Sequence, residues 1–507
     1  MAVLDALWLP IMGLYCVVLL FFLCIGFNLL YLVVVAATRP PRHEDPGPPT
    51  DFPFVTVQLP IYNELYVVER LIRAACELDW PRDRLQIQVL DDSTDETQFV
   101  TSRLVREFRS SGLNIEHVRR DDRVGFKAGA LDVGLQSAQG EFIAIFDADF
   151  IPPGEFLRRT IPYFTYERVG FVQARWGHLN SSYSVLTEVQ SVIIDAHFLV
   201  DQVARNRGGY FMNFNGTAGV WRREAIGDSG GWQHDTLAED LDLSYRAQLR
   251  GWEAVYLPDL VAYAELPVTV SAYRCQQRRW ATGSFACALK LLPTVMRSEL
   301  SLGVKLQATL HLFGYVSHLC LLLMFLLQPF LLYYSQRIPV VPTGPSVFSL
   351  WLIVSTIPAM APGIYLLYAQ ARATGRPLQR LPYILGASVL GAGIMITVVG
   401  AMTRVLDGRR PAFERTPKYG IARASDSWEG KRYPVGVDSI LAIEIMLATF
   451  TTATLSYAAM LKNWGSFFYC GYFLIGLFMI IYLSLMQMSA TALPRALASS
   501  PSGNNEP

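Results

Sequence analysis

Acidic residues recur in this sequence at the ends of short apolar runs, where carboxylates can do chemistry. Asp147-Ala-Asp149 closes the run Phe142-Ile-Ala-Ile-Phe146. An alternating pair at a strand end aims two carboxylates toward one cleft. That suits a hard divalent cation shared with phosphate oxygens, because Mg²⁺ takes one or two carboxylates and fills the rest of its shell with water and substrate. A surface turn can hold the same triplet. Asp91-Asp92-Ser93 follows the run Leu85–Leu90. Two adjacent carboxylates behind an apolar strand are costly unless a cation or donor meets them, although Ser93 or Asp95 also reads as a cap for the next helix. In Pro60-Ile-Tyr-Asn-Glu64, Tyr62 and Glu64 can grip a nucleobase by stacking and hydrogen bonding, and Asn63 as an N-cap is the plainer reading. Glu239-Asp240 can take a proton from a hydroxyl or compensate a helix dipole. Gln276-Gln-Arg-Arg-Trp280 offers a flat face suited to a sugar and a guanidinium, Arg279, able to meet phosphate bidentately. Read singly, Trp280 packs a core.

These clusters need a scaffold. Strand-like runs fall at Phe54–Leu59, Leu85–Leu90, Asn114–Val118 and Glu141–Phe146, and helical patterns at Glu64–Leu78, Glu96–Ser110 and Lys127–Ser137. Such alternation predicts an α/β domain with a mixed, mostly parallel sheet. Ligands then bind at the carboxyl ends of the strands, where three of the clusters stand.

The rest of the chain is of another kind. It has 507 residues, 52% hydrophobic and 17% charged, with 43 basic and 43 acidic side chains. Zero net charge excludes a broad electrostatic claim on nucleic acid. A mean hydropathy of +0.27 points to membrane segments beside a water-exposed part, not to disorder. The seven cysteines form no C-x-x-C pair and read as buried thiols. Leu9–Ala37 is an apolar run long enough to span a bilayer, too long and without the cationic start of a cleaved signal. Arg39 and Arg42 behind it place residue 40 onward in the cytoplasm. Further candidate spans are His311–Tyr334, Val347–Tyr368, Tyr383–Val405, Ser439–Met460 and Phe467–Met488. The basic loops Gln370–Arg380 and Arg404–Arg432 both belong on the cytoplasmic side, which one crossing between them forbids, so 383–405 is expected to lie at the interface or fold back, leaving five crossings. The predicted organisation is a transmembrane helix at 1–40, a Pro-rich linker at 41–53, a cytoplasmic domain at 54–300, a membrane region at 301–492 and a disordered tail at 493–507. This describes a multi-pass protein of the cell membrane.

Taken together and in this order, the clusters resemble the family 2 glycosyltransferases of the GT-A fold, and among these the membrane-embedded processive polysaccharide synthases. Gln88-Val-Leu-Asp-Asp-Ser-Thr-Asp95, Lys127-Ala-Gly-Ala-Leu131, Ile145-Phe-Asp-Ala-Asp-Phe150, Val172-Gln-Ala-Arg-Trp176 and Phe214-Asn-Gly-Thr-Ala-Gly-Val-Trp221 are similar to plant mannan and glucomannan synthases. Bacterial cellulose synthase is a more distant relative. The resemblance implies that Tyr62, Glu64, Asp91 and Asp92 hold the nucleotide, that Lys127 meets the diphosphate, and that Asp147 and Asp149 bind it through Mg²⁺ or Mn²⁺. It makes Asp240, beside Glu239, the general base of a T-E-D motif whose Thr is here Ala238. Gln276, Arg279 and Trp280 match Q-x-x-R-W, with Arg279 toward the nucleotide. Phe214, Asn215, Gly216 and Thr217 stand where the acceptor segment stands. Phe413-Glu-Arg-Thr-Pro-Lys418, within a loop at 411–420, resembles the gating loop that closes over bound nucleotide through residues such as Thr416 and Lys418, with Arg415 where Val is usual.

The activity this resemblance implies is inverting, processive β-glycosyl transfer from GDP-mannose or UDP-glucose to a growing polysaccharide that is exported through the membrane helices. His311, Gln328, Asp438 and Glu444 are candidate sugar-track residues. The competing expectation is transfer of a single sugar to a membrane lipid of ceramide or polyprenyl-phosphate type. Membrane lipids are expected partners in either case.

Overall fold

The computed structural model describes residues 7–336, 345–408, 413–433 and 440–498. The strands are β1 (Val55–Ile61), β2 (Leu85–Asp91), β3 (Ile115–Val118), β4 (Phe142–Ile145), β5 (Phe150–Ile151), β6 (Val169–His178), β7 (Gly219–Arg222) and β8 (Glu253–Ala264). They form one sheet in the order β3-β2-β1-β4-β7-β6-β8-β5. β3, β2, β1 and β4 run parallel, β7 is antiparallel to both its neighbours, and β6 pairs parallel with β8. The four predicted strands and the parallel half of the sheet are therefore present.

The α-helices are α1 (Trp8–Thr38), α2 (Val68–Cys76), α3 (Thr97–Ser110), α4 (Phe126–Ser137), α5 (Phe156–Thr160), α6 (Val185–Ala196), α7 (Gln202–Gly208), α8 (Arg223–Asp228), α9 (Glu239–Leu249) and α10 (Val270–Arg297). They are followed by α11 (Leu302–Leu312), α12 (Val316–Ser335), α13 (Pro345–Thr374), α14 (Leu381–Gly393), α15 (Met395–Leu406), α16 (Ile440–Met460) and α17 (Trp464–Ala498). A π-helical turn, His197–Asp201, joins α6 to α7.

Alternation along the strands sorts side chains onto the sheet's two faces. Val55, Val57 and Leu59 of β1 pack with Leu71 and Ile72 of α2 and Leu104 of α3. Phe142 and Ala144 of β4 join that face, while Ile143 and Ile145 join the other. The opposite face of β1 and β2 is polar yet buried. Thr56 donates to Gln86 (2.8 Å) and Gln58 to Gln88 (3.0 Å), and Gln88 donates to Ser137 at the end of α4 (3.0 Å). These cross-strand bonds satisfy amides that burial would otherwise leave costly, and they seat α4 with its N-terminus at the carboxyl edge of the sheet.

Among the described residues, four helices are long and apolar enough to cross a membrane: α1, α12, α16 and Trp464–Met488 of α17. The predicted span 347–368 lies within α13, part of which falls outside the described residues. The segment 383–405 is two helices, α14 and α15, bent by 44° about Ile394, and it makes a fifth span if the pair is counted as one. Two boundaries are corrected. The predicted span 311–334 is broken after Leu312, so the apolar helix begins at Val316 and His311 belongs to the short α11. Helix α17 continues to Ala498, into the segment expected to be a disordered tail; residues 499–507 lie outside the described ones.

Candidate active site

The sheet's carboxyl edge gathers the acidic clusters. Asp147 leaves β4 with its amide N–H donated to the Thr217 hydroxyl (2.8 Å). Its carboxylate meets Lys127 Nζ at 2.6 Å, and Lys127 also donates to the Gly216 carbonyl (2.8 Å) and lies 3.7 Å from Glu239. Burial works to discharge Lys127, but Asp147, Glu239 and Asp240 hold its affinity for a proton above the ordinary range. Asp149, two residues on, pairs with Lys418 at 2.7 Å. Its side chain is 14% exposed and that of Asp147 is 34%. Each carboxylate thus has one oxygen on an ammonium group and, among the described residues, a second oxygen without a protein hydrogen bond. Among the described residues no three His, Cys, Asp or Glu side chains are grouped to hold a metal ion. Two hard carboxylates already satisfied by cations fit a divalent ion whose shell is completed by diphosphate oxygens.

Glu239 and Asp240 open α9. Asp240 Oδ1 accepts the Leu241 N–H (2.8 Å). Burial, then the neighbouring Glu239 charge, pushes the Asp240 carboxyl up to about 7, with Lys127 opposing. A carboxylate poised there is suited to general-base work near neutrality. Gly216 shows how tight this corner is. It has φ +77°, and a Cβ there would lie 3.0 Å from Asp240 Oδ2 and 3.1 Å from Lys127 Nζ. Only glycine takes that backbone readily and leaves the two groups their places.

Helix α10 clamps this corner from behind. Gly283 approaches so closely that an added Cβ would lie 2.7 Å from the Ala238 Cβ. The departure from Thr to Ala in the T-E-D motif thus sits under a helix crossing with little room. Lys290 of α10 pairs with the buried Asp242 of α9 at 2.8 Å. Earlier along α10, Gln276 is buried and Trp280 stands 6.5 Å from the Trp176 ring. Arg279 lies over the Phe413 ring at 5.4 Å.

The segment 413–418 packs over Phe126, Glu64 and Asp149. Phe413 stacks on Phe126 at 5.4 Å. Arg415 pairs with Glu64 at 3.0 Å, donates to the Asn63 carbonyl and covers the Tyr433 ring at 3.9 Å. Lys418 reaches Asp149 and the Glu265 carbonyl. Thr416 is buried. Burial lifts the Glu64 carboxyl to about 8 against the pull of Arg415. Residues 411 and 412 of the predicted loop lie outside the described residues.

The predicted residues do not all converge. Tyr62 lies under the Arg123 guanidinium at 3.3 Å, and Asp92 receives two hydrogen bonds from Arg120, at 2.9 and 2.5 Å. Asp91 corrects the expectation. It is buried, with one oxygen on the Ser93 N–H and the other on His117, both at 2.9 Å. Burial pushes its carboxyl up, but the bonds from His117 and Ser93 pull harder and hold it below the usual range. It braces the turn after β2, with a protein hydrogen bond on each oxygen. Phe214 corrects it again: the side chain is buried between Phe171 and Trp221. Asn215 bonds to His197 (2.9 Å), beside the site rather than within the Asp147–Asp240 corner. His311 and Gln328 are locally satisfied by Tyr245 and Ser466, Glu444 pairs with Arg274 at 2.5 Å, and Asp438 lies outside the described residues. Sequence reading missed Arg120 and Arg123, although the basic run after β3 stands at a carboxyl strand end and signals them. It also missed Glu265, whose carboxylate accepts the Tyr419 (2.8 Å) and Ile421 (3.1 Å) N–H groups and so holds the loop down.

Residues 53–283 match the model described as "Glycosyltransferase like family 2", and this segment is a family 2 glycosyltransferase domain. The chain is 49% identical over 240 residues to "Probable glucomannan 4-beta-mannosyltransferase 7" of Oryza sativa subsp. japonica, covering 46% of this chain and 41% of that protein. It is 46% identical over 256 residues to "Glucomannan 4-beta-mannosyltransferase 2" of Arabidopsis thaliana, covering 49% and 48%. The chain spans about half the length of the curated relatives it matches. Among solved structures, the mannosyltransferase PcManGT from Pyrobaculum calidifontis, in complex with GDP-Man and Mn²⁺, superposes with a TM-score of 0.51 at 20% identity, covering 80% of this chain and all of that one. That likeness shows the fold.

Proposed function

We propose that this chain is a membrane-embedded, inverting hexosyltransferase that adds mannose from GDP-mannose to the end of a β-1,4-linked polysaccharide. The observation that carries this reading is the corner in which Asp147, Lys127 and Asp240 crowd around Gly216 at the carboxyl edge of the sheet. The plant relatives' names supply the sugar and linkage, and the fold neighbour captured with GDP-Man and Mn²⁺ agrees with a diphosphate donor and a divalent ion.

In this reading Tyr62, Glu64 and Asp92 face the nucleoside, and Arg415 and Lys418 give up their carboxylate partners when it enters. Asp147 and Asp149 hold Mg²⁺ or Mn²⁺, which when bound neutralises charge growing on the diphosphate leaving group. Lys127 meets the same oxygens. Asp240 takes the proton of the acceptor hydroxyl, and attack from the face opposite the diphosphate inverts the anomeric centre. Gln276 and Trp280 border the acceptor. The catalytic domain, 54–300, lies on the cytoplasmic side of the cell membrane. The region 301–492 carries the product outward, with 383–405 at the interface. Thr397, Glu444 and Thr451 are buried polar residues in that region, and intramembrane polar side chains mark pathways.

The test presents purified protein with radiolabelled GDP-mannose and UDP-glucose in parallel, with Mg²⁺ or Mn²⁺. Label from GDP-mannose in high-mass polymer is expected. Label from either donor in an organic-soluble lipid overturns the polymer reading, and label only from UDP-glucose overturns the donor.

A further inference from the structure

A small cleft of about 70 Å³, lined by none of the residues of the Asp147–Asp240 corner, lies where the C-terminal ends of α1 and α13 meet β6 and β8. Ala36 of α1 and Arg372 of α13 stand on one side of it, Leu199 of the π-helical turn and Arg207 of α7 on another, and Arg175 of β6 with Asp259 of β8 on the third. α1 and α13 pack along one another, and both end at this level. Three guanidinium groups therefore share the lining with a single carboxylate, Asp259, while Asp195 lies near enough to Arg175 to feel its charge.

The arginines here are not spent as arginines elsewhere in the domain are. Arg205, close by in sequence, is paired with Asp201 at 2.9 Å, and Arg42 with Glu253 at 3.4 Å. Among the described residues no carboxylate pairs with Arg175, Arg207 or Arg372. Arg207 uses one nitrogen, Nη1, on the carbonyls of Ala36 (2.9 Å) and Arg39 (3.0 Å), which fixes the guanidinium against the end of α1. Arg175 keeps a buried Nε–H with no acceptor among the described residues, as do several other arginines of the chain, and here it faces a cleft with room for one. A π-turn in a helix wall is a frequent companion of binding sites.

Guanidinium groups bind phosphate oxygens in bidentate fashion. Basic pockets between helices at the membrane surface take anionic headgroups. We propose that this cleft binds the phosphate ester headgroup of an anionic phospholipid from the leaflet facing the catalytic domain, with Arg175, Arg207 and Arg372 as its donors. Its level at the ends of α1 and α13, and its apolar wall at Leu199, favour a lipid over a free anion. The headgroup ties α1 and α13 to β6 and so steadies the catalytic domain against the membrane helices. This inference does not depend on which sugar is transferred.

The full-length protein is reconstituted in nanodiscs of phosphatidylcholine alone or with phosphatidylglycerol. Native mass spectrometry counts retained phosphatidylglycerol, and a thermal melt reads the lipid-dependent shift. For Arg175→Gln/Arg372→Gln, retention of phosphatidylglycerol falls by about tenfold or more, the scale of losing a charge-assisted contact. The melting shift disappears, while the melt in phosphatidylcholine stays that of the wild type. Arg84→Gln/Arg250→Gln, an equal charge change at two exposed arginines outside the cleft, behaves as wild type. Should the double variant not fold, Arg372→Gln alone, at an exposed position, shows a smaller loss in the same direction. Equal retention by wild type and variant overturns the proposal. So does a wild-type shift that inorganic phosphate alone reproduces in phosphatidylcholine nanodiscs, because that assigns the cleft to a soluble anion.

Discussion

Asp240→Asn separates the two faces of a buried general base: it is needed for transfer and costs stability. The carboxyl is partly buried, and burial with the neighbouring Glu239 charge raises it from 3.8 to about 7. At about 1.4 kcal/mol per tenfold change in proton affinity, the ionised form costs the folded metal-free protein roughly 4 kcal/mol. The sign follows from the raised value. The cost is absent below the unfolded carboxyl's range, grows as pH rises from about 4, and is complete above about 7. Asn keeps an oxygen for the Leu241 N–H and carries no charge. In detergent with a chelator, Asp240→Asn is therefore expected to melt higher than wild type at pH 8, with the gap closing toward pH 4. The roughly 4 kcal/mol is a ceiling, since water entering the corner softens the cost. Transfer from the labelled donor at saturating metal falls by about 10²–10⁴-fold, the usual worth of a positioned base. A variant that melts lower than wild type at pH 8, or that keeps its transfer rate, refutes the assignment of Asp240 as a buried base.

Two further outcomes test the frame around it. Gly216→Ala forces a side chain into positive φ, costing about 1–2 kcal/mol, and drives its Cβ against Asp240 and Lys127. A lower melting midpoint and a kcat loss of at least about tenfold are expected, and normal kinetics would mean the corner is loose. Arg274→Met removes the cation 2.5 Å from the buried Glu444 carboxylate and should cost up to about 3–5 kcal/mol, read as a lower melting midpoint in detergent. Arg274→Met/Glu444→Leu recovers much of that loss if the pair is structural, and the double variant keeps transfer if Glu444 plays no part in moving the polymer.

How much of this could be read before the fold was known depends on the range of the interaction involved. The strands at 55–61, 85–91, 115–118 and 142–145 followed from local runs of apolar and alternating residues, because a strand's period is a property of neighbours in sequence. The positions of Asp92, Asp147 and Asp149 at strand ends followed with them, as did the apolar helices after residue 315. The roles of individual carboxylates did not. Asp91 and Asp92 are adjacent and alike in composition, yet the pleat turns one inward to His117 and the other outward to Arg120. That division depends on where β3 and the turn after it pack. Phe214 was read with an acceptor segment, but the sheet face it lands on puts it in the core.

Composition, periodicity and motif spacing determined the class of fold, the division into a polar domain and an apolar helical region, and the chemical kind of residue at the sheet's edge. Tertiary structure alone decided the partners: Lys127 on Asp147, Arg415 on Glu64, Lys418 on Asp149 and Arg274 on Glu444. Such pairs join groups far apart in the chain, and nothing in the local pattern of either member selects the other. The perturbed carboxyls of Asp240 and Glu64 arise in the same way. Both owe their shift first to burial, and burial is set by α10 and the 413–418 segment arriving from elsewhere in the sequence.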